Sequence, residues 1–333
     1  MRPIPNAYKE PMVRPQRRSR ARFLLALPGL VLPWPATAAR QDGRILERSA
    51  YTFPSWDAAI QSTDAERYAT ADEYAAAAGD ERFVLEKLRY RSDELAVVAY
   101  LYRPADAALP ARPVIVFNRG SYVRNDIAPE LLPMFHRLAV AGFTIIAPMY
   151  RGSNGGEGRD DLGGDDLNDL MNIADVLREL DGVDRRNVFL YGESRGGMMV
   201  FQAVRDGFPA RAAATFGAFT DLADLTSAPR GAATAASIWP DFDERREQII
   251  ERRSAMRWPE RLTLPLLLMH GSADDSVPPA HALRLAVRLA ETAGEGGPEY
   301  GVIVFPGGNH ILSRQRIERD RHAVEFFRRH MID

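Results

Sequence analysis

Gly192-Glu193-Ser194-Arg195-Gly196 sets a serine between two glycines at the spacing Gly-x-Ser-x-Gly, with Gly197 directly behind. The spacing alone is weak, because small residues recur by chance in a long chain. Its setting gives it force. The apolar run Asn187–Tyr191 reads as a strand that ends just before it, and Met198–Val204 as a helix that starts just after. A sharp strand-to-helix turn lifts a serine hydroxyl clear of a sheet, and the glycines let the backbone come close. Such a hydroxyl attacks a carbonyl at neutral pH only when a base takes its proton.

Six histidines are available. His310 stands in the glycine-rich stretch Phe305-Pro-Gly-Gly-Asn-His310, straight after the last predicted strand, and is the candidate base. His322 and His330 fall in a charged C-terminal helix and read as solvated. His270 ends a strand and reads as structural, while His136 and His281 read as helix-surface residues. The base needs a carboxylate to orient it and to stabilise the imidazolium. His270-Gly-Ser-Ala-Asp274-Asp275-Ser-Val-Pro-Pro279 follows the penultimate apolar strand. Asp274, next to the strand end, is the first candidate and Asp275 the second. Ser194, Asp274 and His310 then follow the order Ser…Asp…His, each on a loop after its own strand.

The charge that develops on an attacked carbonyl oxygen must also be held. One donor is expected to be the backbone N–H of Arg195, the residue after the nucleophile. The second is expected from Asn118-Arg119-Gly120-Ser121-Tyr122 after the third core strand: the Asn118 side-chain amide, or the main-chain N–H of Arg119 or Gly120. Other motifs are weaker. Tyr150–Gly158 is a glycine-rich loop bordering the expected pocket, but it lacks the Gly-Lys-Ser/Thr ending of a phosphate loop. Asp160, Asp161, Asp165 and Asp166 read as helix caps. Arg119, Arg124 and Arg151 fall on loops at the catalytic end and suit either a substrate carboxylate or ion pairs. No His-Glu-x-x-His or comparable ligand spacing occurs, so neither metal nor cofactor is expected.

The elements that must position these residues are legible as alternating runs. Strands are predicted at 83–90, 96–103, 113–118, 143–150, 187–191, 212–216, 266–270 and 300–305, several of them continuously apolar, as strands covered on both faces are. Helices are predicted near 127–140, 165–181, 195–207, 280–293 and 316–330. The alternation predicts an α/β fold: a mostly parallel sheet of about eight strands with helices on both faces. Residues 222–258 interrupt the alternation and read as a small helical insertion, a lid over one end of the sheet. Residues 39–82 read as a helical extension ahead of a catalytic domain at 83–331.

The chain has 333 residues, 46% hydrophobic and 26% charged, the profile of a folded protein that can bury a sizeable core. The absence of cysteine excludes disulfides, thiolate metal sites and a cysteine nucleophile. Five arginines between Arg14 and Arg22 precede the 12-residue apolar stretch Phe23–Trp34 and the small-x-small site Ala36-Thr37-Ala38. That layout is a signal peptide over residues 1–38, and Met12 would make an ordinary start for it. The stretch is shorter than the roughly 20 residues of a membrane span, so no stable anchor is expected. The expected product is exported, periplasmic or secreted. Without residues 1–38 the chain carries 36 basic and 44 acidic residues, a net −8, which disfavours nucleic acid as a partner.

Together these stretches resemble the α/β-hydrolase catalytic domain of the prolyl-oligopeptidase, or S9-like, serine hydrolases. The marks are Tyr-Arg-Gly-Ser-x-Gly-Gly at 150–156, Gly-Gly-Asp-Asp-Leu-Asn-Asp at 163–169 and Gly-Glu-Ser-Arg-Gly-Gly-Met-Met at 192–199. His-Gly-Ser-Ala-Asp-Asp-Ser-Val-Pro at 270–278 and Gly-Gly-Asn-His at 307–310 complete them. The resemblance implies a Ser194–Asp274–His310 triad that cleaves acyl bonds of small peptides or esters. Larger members carry an N-terminal β-propeller, for which residues 39–82 are far too short, and often a tyrosine where Asn118 stands. The expectation is therefore a serine hydrolase, a peptidase by resemblance, with a carboxylesterase as the alternative. A non-catalytic binding protein on the same fold is the rival from another class. Oligomeric state is left open by the sequence.

Overall fold

In a computed structural model of the chain, the structure describes residues 43–122, 126–227, 229–292 and 297–333. The expected signal peptide at 1–38 and Arg124 lie outside the described residues. The compact unit that includes residue 43 runs to Asp333. It begins with β1 (Ile45–Ala50), α1 (Trp56–Ser62), α2 (Ala65–Tyr68), α3 (Ala71–Ala78), β2 (Phe83–Ser92) and β3 (Leu95–Pro104). The central part is β4 (Arg112–Asn118), α4 (Ala128–Val140), β5 (Thr144–Pro148), α5 (Leu167–Met171), α6 (Ile173–Glu179), β6 (Val183–Glu193) and α7 (Arg195–Arg205). Then come β7 (Ala212–Phe216), α8 (Leu222–Ser227), α9 (Pro229–Ile238), α10 (Phe242–Arg253), β8 (Leu266–Gly271), α11 (Ala280–Thr292), β9 (Tyr300–Phe305) and α12 (Arg316–Arg329).

The strands form one nine-stranded sheet in the order β1-β2-β3-β5-β4-β6-β7-β8-β9. From β5 through β4 to β9 neighbouring strands run parallel, and β1, β2 and β3 add antiparallel to the β5 side. This is the α/β-hydrolase architecture. Sheet order reverses at β5-β4-β6, so loops after β4 and β6 meet at the carboxyl ends of the central strands, where α/β sheets place their sites.

The continuously apolar runs arise because side chains alternate between two covered faces. Val114 and Val116 pack with α5, α6, α7 and the helices inserted after β7, whereas Ile115 and Phe117 pack with α4, α12 and the N-terminal helices. On the second face Phe327 stacks on Phe189 and Phe143 meets both rings edge-on, tying α12 to the sheet centre. β1 differs from expectation, since Ile45–Ala50 sat within the predicted helical extension. Five of its six side chains are exposed, so pairing with β2 rests on backbone bonds and leaves no apolar alternation to read. No helix among the described residues is long and apolar enough to cross a membrane.

Candidate active site

Ser194 sits between β6 and α7 with φ +50° and ψ −117°, a strained conformation for a residue with a side chain. The turn closes only because its neighbours are glycines. A Cβ on Gly192 would fall 2.5 Å from the Gly196 carbonyl oxygen. The Ser194 N–H donates to Phe216 O (2.9 Å), fixing the turn to the end of β7.

The loops after β8 and β9 bring the other two candidates to it. Ser194 Oγ lies 2.9 Å from His310 Nε2, and His310 Nδ1 lies 2.8 Å from Asp274 Oδ2. Asp274 Oδ1 accepts the backbone N–H groups of Ser276 (3.0 Å) and Val277 (2.8 Å). His270, expected only as structural, also faces this carboxylate: its Nε2 is 3.1 Å from Asp274 Oδ2 and 2.8 Å from Val277 O. Both neighbours are acceptors, so Nε2 carries the proton. Burial alone would raise the Asp274 carboxyl, but hydrogen bonds from His270 and His310 hold it below the usual carboxylate range. Asp274 is therefore an anion at neutral pH, and its bond to His310 Nδ1–H leaves Nε2 free to accept the serine proton. Asp275, the second candidate, is exposed and makes no bond to His310; its Oδ1 accepts from Ser276 Oγ at 3.3 Å.

The oxyanion candidates divide. The backbone N–H of Arg195 opens α7, where no preceding turn exists to accept it. The Asn118 side chain, by contrast, is fully buried. Its Nδ2 donates to Val116 O (3.1 Å) and its Oδ1 accepts from the Tyr150 hydroxyl (3.1 Å), so the expected side-chain donor faces the core instead. Arg119 follows at the end of β4, and its guanidinium gathers the next stretch of backbone. Nη1 donates to the carbonyls of Gly120 (2.9 Å), Ser121 (3.2 Å) and Tyr122 (2.9 Å). Burial, then the charge of Arg195, lowers Arg119 to about 10.

Beneath the elbow lies an ion-pair cluster that corrects the reading of Asp160 and Asp166 as helix caps. The Arg195 guanidinium is buried over the Tyr150 ring, 4.4 Å from its centre. It forks onto Asp160 (2.5 and 2.7 Å) and reaches Asp166 at 2.5 Å. Arg151 likewise pairs inward, with Asp169 and Asp93, and so does not present its charge to a substrate. His281, read as a surface residue, is 2% exposed and accepts the Thr220 N–H on Nδ1 at 3.2 Å.

A cavity of about 520 Å³ opens beside this cluster, lined chiefly by Leu162, Phe219, Leu222, Leu225, Ile238 and Trp239, with Asp275 and Ser276 at its edge. Its place follows from the chain. Ser276 and Asp275 adjoin Asp274, and Phe219 stands two residues after Gly217, where a Cβ would come within 3.2 Å of His310 Nδ1. Among the described residues no group of three or more His, Asp or Glu is arranged to hold a metal ion.

The model of the prolyl oligopeptidase family matches residues 133–333, a stretch that takes in Ser194, Asp274 and His310. The chain belongs to this family. Members of the prolyl oligopeptidase family are peptidase-type hydrolases, and relatives share that label. The uncharacterized peptidase YtmA of Bacillus subtilis is 27% identical over 208 residues, 61% of this chain and 78% of that protein. The acylaminoacyl peptidase of Pyrococcus horikoshii superposes with a TM-score of 0.60 at 23% identity, over 75% of this chain and 42% of that one. Acetyl xylan esterase 1 of Thermoanaerobacterium sp. gives 0.55 at 15% identity, over 84% and 88%. At those identities the two structures speak for the fold alone. This family member spans less than half the length of the acylaminoacyl peptidase it matches.

Proposed function

We propose that this chain is a serine peptidase that works through an acyl-enzyme. The observation that carries the reading is the continuous line from Ser194 Oγ to His310 Nε2 (2.9 Å) and from His310 Nδ1 to Asp274 Oδ2 (2.8 Å) on a strained elbow. Ser194 attacks the scissile carbonyl as His310 takes its proton, and Asp274 stabilises the imidazolium. His310 then protonates the leaving amine, and a water, deprotonated by the same imidazole, releases the acyl group. The Arg195 N–H and a main-chain N–H of Arg119 or Gly120 hold the oxyanion. The apolar cavity receives the side chain next to the cleaved bond. Family membership favours peptide and aminoacyl-amide substrates. The likeness in fold to both an acylaminoacyl peptidase and an acetyl xylan esterase makes the ester reading the one to test against.

The full chain and its Ser194→Ala variant would be compared on p-nitrophenyl acetate and butyrate and on aminoacyl- and prolyl-p-nitroanilides. Anilide turnover that falls by roughly 10⁴-fold or more in the variant is expected. Ester turnover without anilide turnover would make the protein a carboxylesterase. Equal rates in the two proteins would remove Ser194 from the mechanism.

A further inference from the structure

The segment ahead of the core strands reaches the nucleophile's neighbour. Tyr68 ends α2, and its hydroxyl donates to Glu193 Oε1 at 3.0 Å, across 125 positions of sequence. Glu193 is the last residue of β6, 4% exposed and adjacent to Ser194. Its carboxyl lies against Gly120, where a Cβ would sit 2.9 Å from Oε1. No other residue type fits there without displacing the carboxyl.

The same segment grips the chain again just beyond. The Asp64 backbone N–H donates to Glu130 Oε1 (3.0 Å) in the first turn of α4, and the Tyr51 hydroxyl donates to Asp126 Oδ1 (2.6 Å) two residues before that helix. These contacts bracket the connection from β4 to α4 at both ends. Buried Ala59, Ala65, Tyr74 and Ala77 seat the N-terminal helices on the sheet, so Tyr68 is held from behind.

We propose that the N-terminal extension belongs to the catalytic apparatus, with Tyr68 as a positioning residue. Through Glu193 it sets Gly120 and its neighbours so that their backbone N–H groups meet the oxyanion above Ser194. The inference rests on the reading of Ser194 as nucleophile. An oxyanion donor acts when charge develops, so a displaced donor lowers kcat and leaves KM nearly unchanged. Deleting such a donor costs about 10²–10³ in kcat. Loosening one is expected to cost about 10-fold.

Tyr68→Phe removes one hydroxyl and keeps the ring. The expected result, in the full chain assayed well below its melting temperature, is kcat lower by about 10-fold and KM within about 2-fold. Glu193→Gln, which still offers Tyr68 an acceptor, is expected to lose less kcat than Glu193→Ala. Tyr51→Phe is expected to add its own fall in kcat at constant KM. Full kcat in both tyrosine variants, or losses that follow the melting temperature alone, would overturn the inference. The Ser194→Ala control separates the two levels. If it is inactive while Tyr68→Phe is fully active, only the positioning role fails. If it retains turnover, the nucleophile reading fails and takes this inference with it.

Discussion

Arg195 does two things that its place in Gly-x-Ser-x-Gly only half reveals. Its backbone N–H follows Ser194, and its guanidinium is sunk beneath the elbow between Asp160 and Asp166. A buried charge that loses one partner keeps its desolvation cost without the compensating attraction, typically about 3–5 kcal/mol. Asp160→Ala is therefore expected to lower unfolding free energy by about that amount, read from urea denaturation of the full chain. A change under about 1 kcal/mol would mean that Asp166 alone suffices. Arg195→Lys is expected to do little better than Arg195→Met, because an ammonium cannot fork onto two carboxylates while lying flat on Tyr150. Ser194, Asp274 and His310 were legible because each sits in a short pattern that follows its strand. Asp160 and Asp166 were not, since their partner is 35 and 29 residues away and nothing local distinguishes such an aspartate from a cap. His281 escaped for a similar reason: a histidine in an otherwise amphipathic helix carries no mark of the Thr220 N–H it meets.

At the scale of elements, α8 and α9 wall the apolar cavity that adjoins the loop of Asp274. Leu222, Leu225, Ile238 and Trp239 come from or adjoin these two helices and form most of the cavity's apolar wall. Leu225 is only half-buried, so a larger side chain there extends into the cavity rather than into the core. Leu225→Trp is expected to lower kcat/KM for phenylalanyl- and leucyl-p-nitroanilide by at least about 10-fold, the worth of one or two methylenes of apolar contact. p-Nitrophenyl acetate, which needs no such pocket, is expected to turn over at the unaltered rate. Unaltered rates on both substrates would place the cavity outside the acyl site. The core strands were readable because burial on two faces makes them continuously apolar. The insertion was readable only as an interruption, because helix packing over a cavity leaves no period that says which residues face inward. β1 was hidden for the opposite reason, as an edge strand whose side chains meet water.

Over the whole molecule, a buried neutral histidine helps tie the insertion to α11, which packs on the same face of the sheet. His281 lies on α11 beside β8 and β9, and its Nδ1 accepts the N–H of Thr220 at the entry to α8, while its backbone carbonyl accepts the Thr220 hydroxyl at 3.0 Å. Burial lowers its pKa to about 4, with Asp224 opposing and Arg284 assisting. In the unfolded chain it titrates near ~6.5. Between those values the unfolded state binds the extra proton, so stability rises with pH across the window and is lost as pH falls from about 6.5 towards 4. The shift corresponds to an order of magnitude of ~3 kcal/mol. Asp274, whose pKa is depressed, contributes in a lower window: its share is present above about pH 4 and lost below it. The two can thus be told apart by pH alone. Melting temperatures of the full chain from pH 4 to 7 are expected to climb steeply, and those of His281→Asn, which keeps an acceptor for Thr220 but takes up no proton, to climb less. Parallel curves for the two proteins would mean that His281 takes up its proton as readily in the folded chain as in the unfolded one, and that burial does not hold it neutral.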